Sequence, residues 1–162
     1  MVQMTSSNRA VVTLPSATQI LITREFDAPP HLVYRAYTTP ELIKRWWAGE
    51  RGQVTSAEVD LRPGGTWRYV MIANAGFEVA FHGEYKEIIP AERIVTTDIF
   101  EGMPDAAALT TTTFAEKDGR TVLSMLIEHS SQENRDAHVN SGMEGGMQES
   151  MAKLEQLAQS LA

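Results

Sequence analysis

The chain of 162 residues contains no cysteine. This absence excludes disulfide bonds, thiol nucleophiles and cysteine-ligated zinc sites. The chain also has no block of basic residues, because acidic and basic side chains are interspersed and the formal net charge is −7. Nucleic-acid-binding proteins and proteins attached to anionic membranes usually carry a basic patch. Neither nucleic acid nor such a membrane is therefore an expected partner.

Long apolar segments are missing as well. No run approaches the roughly 20 residues that a membrane-spanning helix needs. The N-terminus lacks the charged stretch followed by an apolar core that marks a signal peptide. Hydrophobic residues make up 43% of the chain and charged residues 22%, which is a globular composition able to bury a core. We therefore expect a cytoplasmic protein with one domain and no membrane span.

Sequence motifs for several common kinds of catalysis are absent too. The histidines show no HxH or HxxxH spacing, so no metal site is predicted. No serine lies in a nucleophile-elbow context, which argues against a hydrolytic triad. The double glycine at Gly64–Gly65 is followed neither by a helix start nor by the lysine of a phosphate-binding loop. The sequence thus predicts no cofactor.

Short segments rich in β-branched and aromatic residues, separated by turn residues, cover most of the chain. They predict strands over Thr18–Phe26, Val54–Leu61, Thr66–Ile72, Glu78–Ile89, Arg93–Phe100, Leu109–Ala115 and Arg120–His129. Tight turns such as Lys117–Gly119 indicate that neighbouring strands are antiparallel. Two short helices are expected after the first strand, each with a proline in its first turn. Residues 1–17 are predicted to form a flexible tail before a single domain over residues 18–162.

The last segment, Ser130–Ala162, has the periodicity of a helix. Ser130 and Glu133 have the spacing of a capping box. Apolar residues then recur at steps of three and four, which is typical of a helix with one buried face. They are Met143, Met147, Met151, Leu154, Leu157, Ala158 and Leu161. We predict one long helix that covers a face of the sheet, giving an α+β fold.

Three glycines fall near the start of this helix, at positions 142, 145 and 146. A glycine inside a helix costs about 0.8–1.0 kcal/mol relative to alanine. We interpret them as a gap in the helix surface where a side chain of the sheet or a ligand approaches the backbone. A kink in the helix is the alternative interpretation.

Several local motifs follow one another in a defined order over Ile20–Leu161. They are Arg24–Pro29 with Val33, Pro40–Leu42, Trp46–Trp47, Asp60–Gly65, Gly83–Tyr85, Pro90–Ile94 and Ser141–Met147 with Leu154. With this order, the chain resembles the SRPBCC (START-like) superfamily. Within it, the chain resembles the family similar to the activator of the heat shock protein 90 ATPase.

The resemblance implies a helix-grip fold, in which a curved antiparallel sheet of about seven strands wraps round a long C-terminal helix. It also implies a cavity between sheet and helix that holds an apolar molecule. Many relatives have a tryptophan where this chain has Met147. Some relatives catalyse cyclisation or dehydration in the cavity. The co-chaperone role in the stress response belongs to larger eukaryotic proteins with an additional domain, for which this chain is too short.

Aromatic and methionine side chains are the predicted ligand-binding residues. Aromatic rings supply flat apolar walls, and methionine is flexible and polarizable. The predicted set is Trp46, Trp47, Trp67, Tyr69, Phe81, Met143, Met147 and Met151. Ordinary core packing is the alternative interpretation for all of them.

His82 and Glu128 are the first candidates for a catalytic acid or base, provided that one of them points into the cavity. Strand alternation places His82 opposite Phe81, and therefore on the outer face of the sheet. Arg68, Asp60 and Glu84 are further polar strand residues, for which a solvated or paired surface position is the simpler interpretation.

Three hypotheses about function follow from these observations. The leading one is a small protein that binds an apolar or aromatic small molecule between sheet and helix. The second is a cyclase-type or dehydratase-type enzyme that uses the same cavity. The third is a protein-interaction module with a chaperone as its partner. The sequence leaves open whether the chain forms a homodimer.

Overall fold

A computed structural model describes residues 8–162 of the chain. In this part of the chain, strands and helices form one α+β arrangement. The strands are β1 (Val11–Thr13), β2 (Gln19–Phe26), β3 (Gly52–Val59), β4 (Thr66–Ala73), β5 (Glu78–Ile89), β6 (Arg93–Phe100), β7 (Ala108–Lys117) and β8 (Arg120–His129). The helices are α1 (Pro30–Thr38), α2 (Pro40–Trp46), α3 (Gln132–Val139) and α4 (Met143–Ser160).

All eight strands belong to one open antiparallel sheet in the order β1-β2-β8-β7-β6-β5-β4-β3. Strands β3 to β8 pair with their neighbours in sequence, whereas β2 pairs with β8. The connection from β2 to β3 carries α1 and α2, so it crosses from one end of the sheet to the other. The predicted α+β class and antiparallel sheet are confirmed.

One face of the sheet, which we call the inner face, bears the buried side chains. On β2, alternate residues from Ile20 to Phe26 are buried, as expected where one face of a strand packs against a core. Phe26 and Leu123 pack in a cluster with Leu154 and Leu157 of α4. The inner face is therefore the one that the C-terminal helix covers.

Strand β1 was not predicted. Val11–Thr13 pairs in antiparallel fashion with Leu21–Thr23 of β2 and adds an eighth strand at the edge of the sheet. Residues 8–17 are thus partly strand, and the predicted tail is wrong for this part. The signal was weak because β1 has only three residues. Residues 1–7 of the predicted tail lie outside the described residues.

The predicted single C-terminal helix is interrupted. Helix α3 ends at Val139, and α4 begins at Met143 after Gly142, whose φ is 83°. This left-handed conformation breaks the helical hydrogen-bond pattern, and glycine adopts it without the Cβ penalty of other residues. Gly142 therefore separates two helices, and the prediction that it lies inside one long helix is wrong.

The predicted cap of the helix was wrong by one residue. Ser131 precedes α3, and its Oγ accepts a hydrogen bond from the backbone N–H of Asn134 at 3.1 Å. Ser130 Oγ accepts a bond from the side-chain Nδ2 of Asn134 at 3.0 Å instead. The cap thus has the expected three-residue spacing, but it joins Ser131 to Asn134 rather than Ser130 to Glu133.

The C-terminal half of α4 packs into the main core. Leu154, Leu157 and Ala158 are at most 6% exposed. They share one cluster with Phe26 of β2 and with apolar residues of α1 and α2. The N-terminal half of α4 packs less closely, since Met143 and Met147 are only partly buried. The candidate site lies beside this looser half.

Among residues 8–162, no helix is long and apolar enough to cross a membrane.

Candidate functional site

A hollow of about 520 Å³ lies between the inner face of the sheet and the helices, and we refer to it below as the hollow. Its walls come from α1 and α2, from strands β4 to β8 and from α3 and α4. Residues that line it include Tyr37, Trp46, Trp47, Trp67, Tyr69, Phe81, Tyr85, Ile94, Thr96, Asp98, Thr110, Thr112, Met125, Ile127, His138, Met143, Met147 and Met151. Pockets that take small molecules usually measure about 300–1,000 Å³.

Aromatic rings in contact with one another form one wall of the hollow. Trp47, which follows α2, lies edge-to-face against Tyr69 of β4 and Phe81 of β5, with ring centroids 5.3 and 5.2 Å apart. Trp67 lies 4.7 Å from Tyr69. Alternation along β4 and β5 explains the arrangement, because every second side chain of a strand points to the same face. This wall offers a ligand a rigid apolar surface.

Methionines and glycines of α4 form the opposite wall. Met143, Met147 and Met151 line the hollow together with Gly146. A Cβ on Gly145 would lie 2.6 Å from the Nη2 atom of Arg51, so the absence of a side chain lets this arginine lie across the helix. A close approach at these glycines is therefore present, but the approaching side chain belongs to the α2–β3 connection and not, as predicted, to the sheet or a ligand.

All eight predicted ligand-binding residues line the hollow. Trp46 also belongs to the core, where it is 5% exposed and its indole N–H donates to the Ala36 carbonyl oxygen at 2.9 Å. Trp47 is only partly buried and belongs to the aromatic wall. The side chains thus share one surface, and their binding of a ligand remains a prediction.

The two predicted catalytic residues do not line the hollow. His82 points to the outer face, where its Nδ1 lies 2.8 Å from Glu101 Oε2 and its side chain is 42% exposed. Glu128 accepts hydrogen bonds from Thr18 Oγ1 at 2.5 Å and Gln19 Nε2 at 2.9 Å, away from the hollow. The requirement for an ionisable group inside the hollow is therefore not met by either residue.

Asp98 is the carboxylic acid of the hollow, and sequence reasoning missed it. It lies on the inner face of β6, two residues after Thr96 and four after the buried Ile94. Its Oδ1 accepts a hydrogen bond from Thr96 Oγ1 at 2.8 Å, and its Oδ2 accepts one from Thr110 Oγ1 at 2.5 Å. The signal was present, since Ile94, Thr96 and Asp98 alternate along a correctly predicted strand.

Burial controls the protonation of this carboxyl group. Desolvation raises the pKa of Asp98 from 3.8 to about 6, and the hydrogen bonds from Thr110 and Thr96 oppose the rise. The group is therefore mostly ionised above pH 6 and mostly protonated below it.

Three tyrosines of the hollow stay neutral. Burial raises the pKa of Tyr37 to about 12, and it raises the pKa values of Tyr69 and Tyr85 as well. The negative charge of Asp98 adds to the rise in all three. The three phenols therefore respond to the charge of Asp98, and they remain protonated donors near neutral pH.

A pair of histidines lies at one side of the hollow. His129 Nε2 of β8 lies 3.0 Å from His138 Nδ1 of α3, and His138 lines the hollow. Burial lowers the pKa of both imidazoles, that of His138 to about 4, and repulsion from His129 adds to the effect on His138. Both rings are therefore neutral at physiological pH, with one donating an N–H to the other.

The chain matches the family model described as "Activator of Hsp90 ATPase homolog 1-like protein" over residues 27–159. The chain belongs to this family. The resemblance seen in the sequence motifs is thereby confirmed, together with membership of the SRPBCC superfamily.

Solved structures of bacterial proteins share the fold. A Rhodobacter sphaeroides protein is 24% identical, with 93% of this chain and 99% of that chain covered and a TM-score of 0.86. A Chromobacterium violaceum protein is 31% identical, with 89% and 99% covered and a TM-score of 0.75. An AHSA1-like protein of Aeromonas hydrophila is 19% identical, with 87% and 93% covered and a TM-score of 0.65. No curated protein matched the chain.

Within this family fold, the described residues bring together few groups for covalent or metal chemistry. Among residues 8–162, no three metal-binding side chains converge on one point. The hollow instead combines apolar walls, neutral phenols and one ionisable carboxyl group. Such a surface can bind an apolar body, hold a polar group by hydrogen bonds or exchange one proton.

Proposed function

We propose that this protein is a small cytoplasmic binding protein that holds an apolar or aromatic small molecule in the hollow. The observation that carries the proposal is the lining of the hollow. An aromatic wall lies on one side and methionines lie on the other, and the volume between them is about 520 Å³. Apolar side chains that enclose such a volume favour burial of an apolar guest, because the guest leaves water.

The experiment is a calorimetric titration of the purified protein with fatty acids, aromatic polyketides and aromatic alcohols. Met147→Phe places a larger side chain in the hollow, and Met103→Phe makes the same change at an exposed site outside it. Saturable binding that Met147→Phe weakens and Met103→Phe leaves unchanged supports the proposal. Failure of all ligands to saturate the protein, or equal affinity for both variants, contradicts it.

An enzyme in the same hollow is the second candidate, and Asp98 is the observation that favours it. A carboxyl group with a pKa near 6 can donate or accept a proton near neutral pH. The test incubates each ligand that binds with the native protein and with Asp98→Asn, followed by mass spectrometry. Conversion by the native protein alone supports an enzyme, and recovery of unchanged ligand from both argues against one.

A further inference from the structure

The Asp98 carboxylate is held in position but is not neutralised by the protein. The hydroxyl groups of Thr96 and Thr110 donate one hydrogen bond to each of its oxygens. Within residues 8–162, no lysine, arginine or histidine forms an ion pair with it. Both threonine side chains therefore orient the carboxylate, and its charge remains uncompensated.

The remaining groups of the hollow do not supply a positive charge near Asp98. His138 is neutral because burial lowers its pKa to about 4. Arg51 lines the hollow but is exposed, and its Nε donates to Glu149 Oε1 at 3.0 Å. An ionised carboxylate inside an apolar hollow is costly unless a cation accompanies it.

Aromatic residues line the same hollow as the carboxylate. Tyr37, Tyr69 and Tyr85 lie there with Asp98, and the charge of Asp98 adds to the rise in the pKa of each phenol. The pairing of Phe81 with Phe100 and of His82 with Ile99 places the next residue of β5, Gly83, opposite Asp98.

The indole of Trp67 covers this glycine. A Cβ on Gly83 would lie 2.7 Å from Trp67 Nε1, so the indole can pack on this position only because it is a glycine. Trp67 pairs with Gly83, and Gly83 lies opposite Asp98 on the next strand. Ring faces attract cations through their quadrupole, and the attraction grows when water is excluded.

We propose that the ligand carries a protonated amine, which binds the Asp98 carboxylate while its apolar or aromatic body lies between the aromatic wall and the methionines. This inference rests on the proposed binding function and names the chemical class of the ligand. A metal ion fits less well, because one carboxylate and two hydroxyl groups provide too few oxygen ligands for a divalent cation.

The test uses three molecules with one skeleton and different head groups, namely 4-phenylbutylamine, 4-phenyl-1-butanol and 4-phenylbutyrate. Their affinities are measured by calorimetry at pH 8 for the native protein, for Asp98→Asn and for Asp105→Asn, an exposed control on the β6–β7 loop. We expect the native protein and the control to bind the amine about tenfold or more tightly than the alcohol. Asp98→Asn should lose this preference and bind the amine and the alcohol with similar affinity.

The pH dependence of the native protein provides a test without a variant. Besides Asp98, the titratable groups that line the hollow are Tyr37 of α1, Tyr69 of β4, Tyr85 of β5, Arg51 before β3 and His138 of α3, which pairs with His129 of β8. The phenols stay protonated up to pH 8, and burial keeps the imidazoles neutral toward lower pH. Protonation of Asp98 should therefore reduce the preference for the amine between pH 8 and pH 5.

The outcomes separate this inference from the proposed function. Equal affinity for amine and alcohol at pH 8, or tighter binding of the carboxylate, overturns the inference and leaves apolar binding supported. A preference for the amine that survives in Asp98→Asn also overturns it. Failure of all three molecules to bind, while polyketides or fatty acids bind, overturns the inference alone. Failure of every ligand contradicts both.

Discussion

The two halves of α4 lie against the same sheet, but one half packs in the core and the other lines the hollow. The C-terminal half buries Leu154, Leu157 and Ala158 in the cluster shared with α1 and β2. The N-terminal half presents Met143, Met147, Met151 and Gly146 to the hollow. One helix can therefore stabilise the fold at one end and leave room for a ligand at the other. Its C-terminal half carries branched leucines, whereas its N-terminal half carries unbranched methionines and glycines.

The largest expected effect on stability comes from the C-terminal half of α4. Glu155 is 2% exposed, lies 3.3 Å from Arg24 and accepts a hydrogen bond from the Asp27 backbone N–H at 2.7 Å. Glu155→Ala should lower the free energy of unfolding by about 3–5 kcal/mol, because it leaves the buried guanidinium without its counter-charge. Chemical denaturation provides the measurement.

Glu149→Ala on the same helix is the control, since its ion pair with Arg51 is exposed to solvent. It should change stability much less, because solvent screens an exposed pair. Similar losses in both variants would contradict the distinction between buried and exposed positions on α4.

Apolar truncation compares the two halves directly. Leu154→Ala should cost about 2–5 kcal/mol, because Leu154 is fully buried and the cavity would be lined by fixed neighbours. Met147→Ala should cost about 1 kcal/mol, because the side chain already borders open space. Thermal and urea unfolding of both variants check this, and equal costs would show that the N-terminal half packs as tightly as the C-terminal half.

Removal of the negative charge of Asp98 should raise the free energy of unfolding. Asp98 has a higher pKa in the folded state than in the unfolded chain, so the ionised form opposes folding at high pH, and this cost declines as pH falls from about 6 toward 3.8. The rise from 3.8 to about 6 corresponds to about 3 kcal/mol. Asp98→Asn should therefore stabilise the protein by about 1–3 kcal/mol at pH 8, and by less at pH 5.

Urea unfolding at both pH values measures this effect, with Asp105→Asn as the control. Destabilisation by Asp98→Asn at pH 8 would show that the ionised carboxylate is structural. Stabilisation would show that the native residue is retained at a cost to the fold, as expected of a binding group.

The smallest expected effect concerns the histidine pair. Its members have lower pKa values in the folded state, so their contribution is present above the unfolded value of about 6.5 and is lost as pH falls toward about 4. His138→Gln should weaken the loss of thermal stability between pH 7 and pH 5 relative to the native protein. An unchanged pH profile would mean that the imidazoles do not resist protonation. Exposed His31→Gln is the matched control.

Much of the fold was predictable because local signals and tertiary contacts agree. Strands β5, β6 and β8 have the predicted bounds, since turn residues end each of them and alternation defines their faces. The same alternation placed Trp67 and Tyr69, which line the hollow, on one face of β4, whereas Tyr37 and Tyr85 of the hollow were not predicted. Strand β1 was missed because its stability depends on pairing with β2, and three residues carry almost no pattern of their own.

The candidate site was predictable in its apolar part only. Large apolar side chains can be predicted from their periodicity along a strand or helix. A single carboxylate such as Asp98 cannot be told from other polar strand residues until the inner face of β6 is known. Likewise, the glycines of α4 indicated a close approach, but the approaching side chain was Arg51, which is far away in sequence.

The sequence by itself determined the α+β class, the antiparallel strands and the amphipathic C-terminal segment, because these depend on local propensity, turn residues and periodicity. Its ordered motifs also carried the resemblance to the family. Only the tertiary structure decided that the segment breaks at Gly142, that Arg51 lies across Gly145 and that Asp98 faces the hollow among tyrosines. Those features depend on contacts between distant residues, and the burial that shifts the pKa of Asp98 exists only when the sheet and helices are assembled.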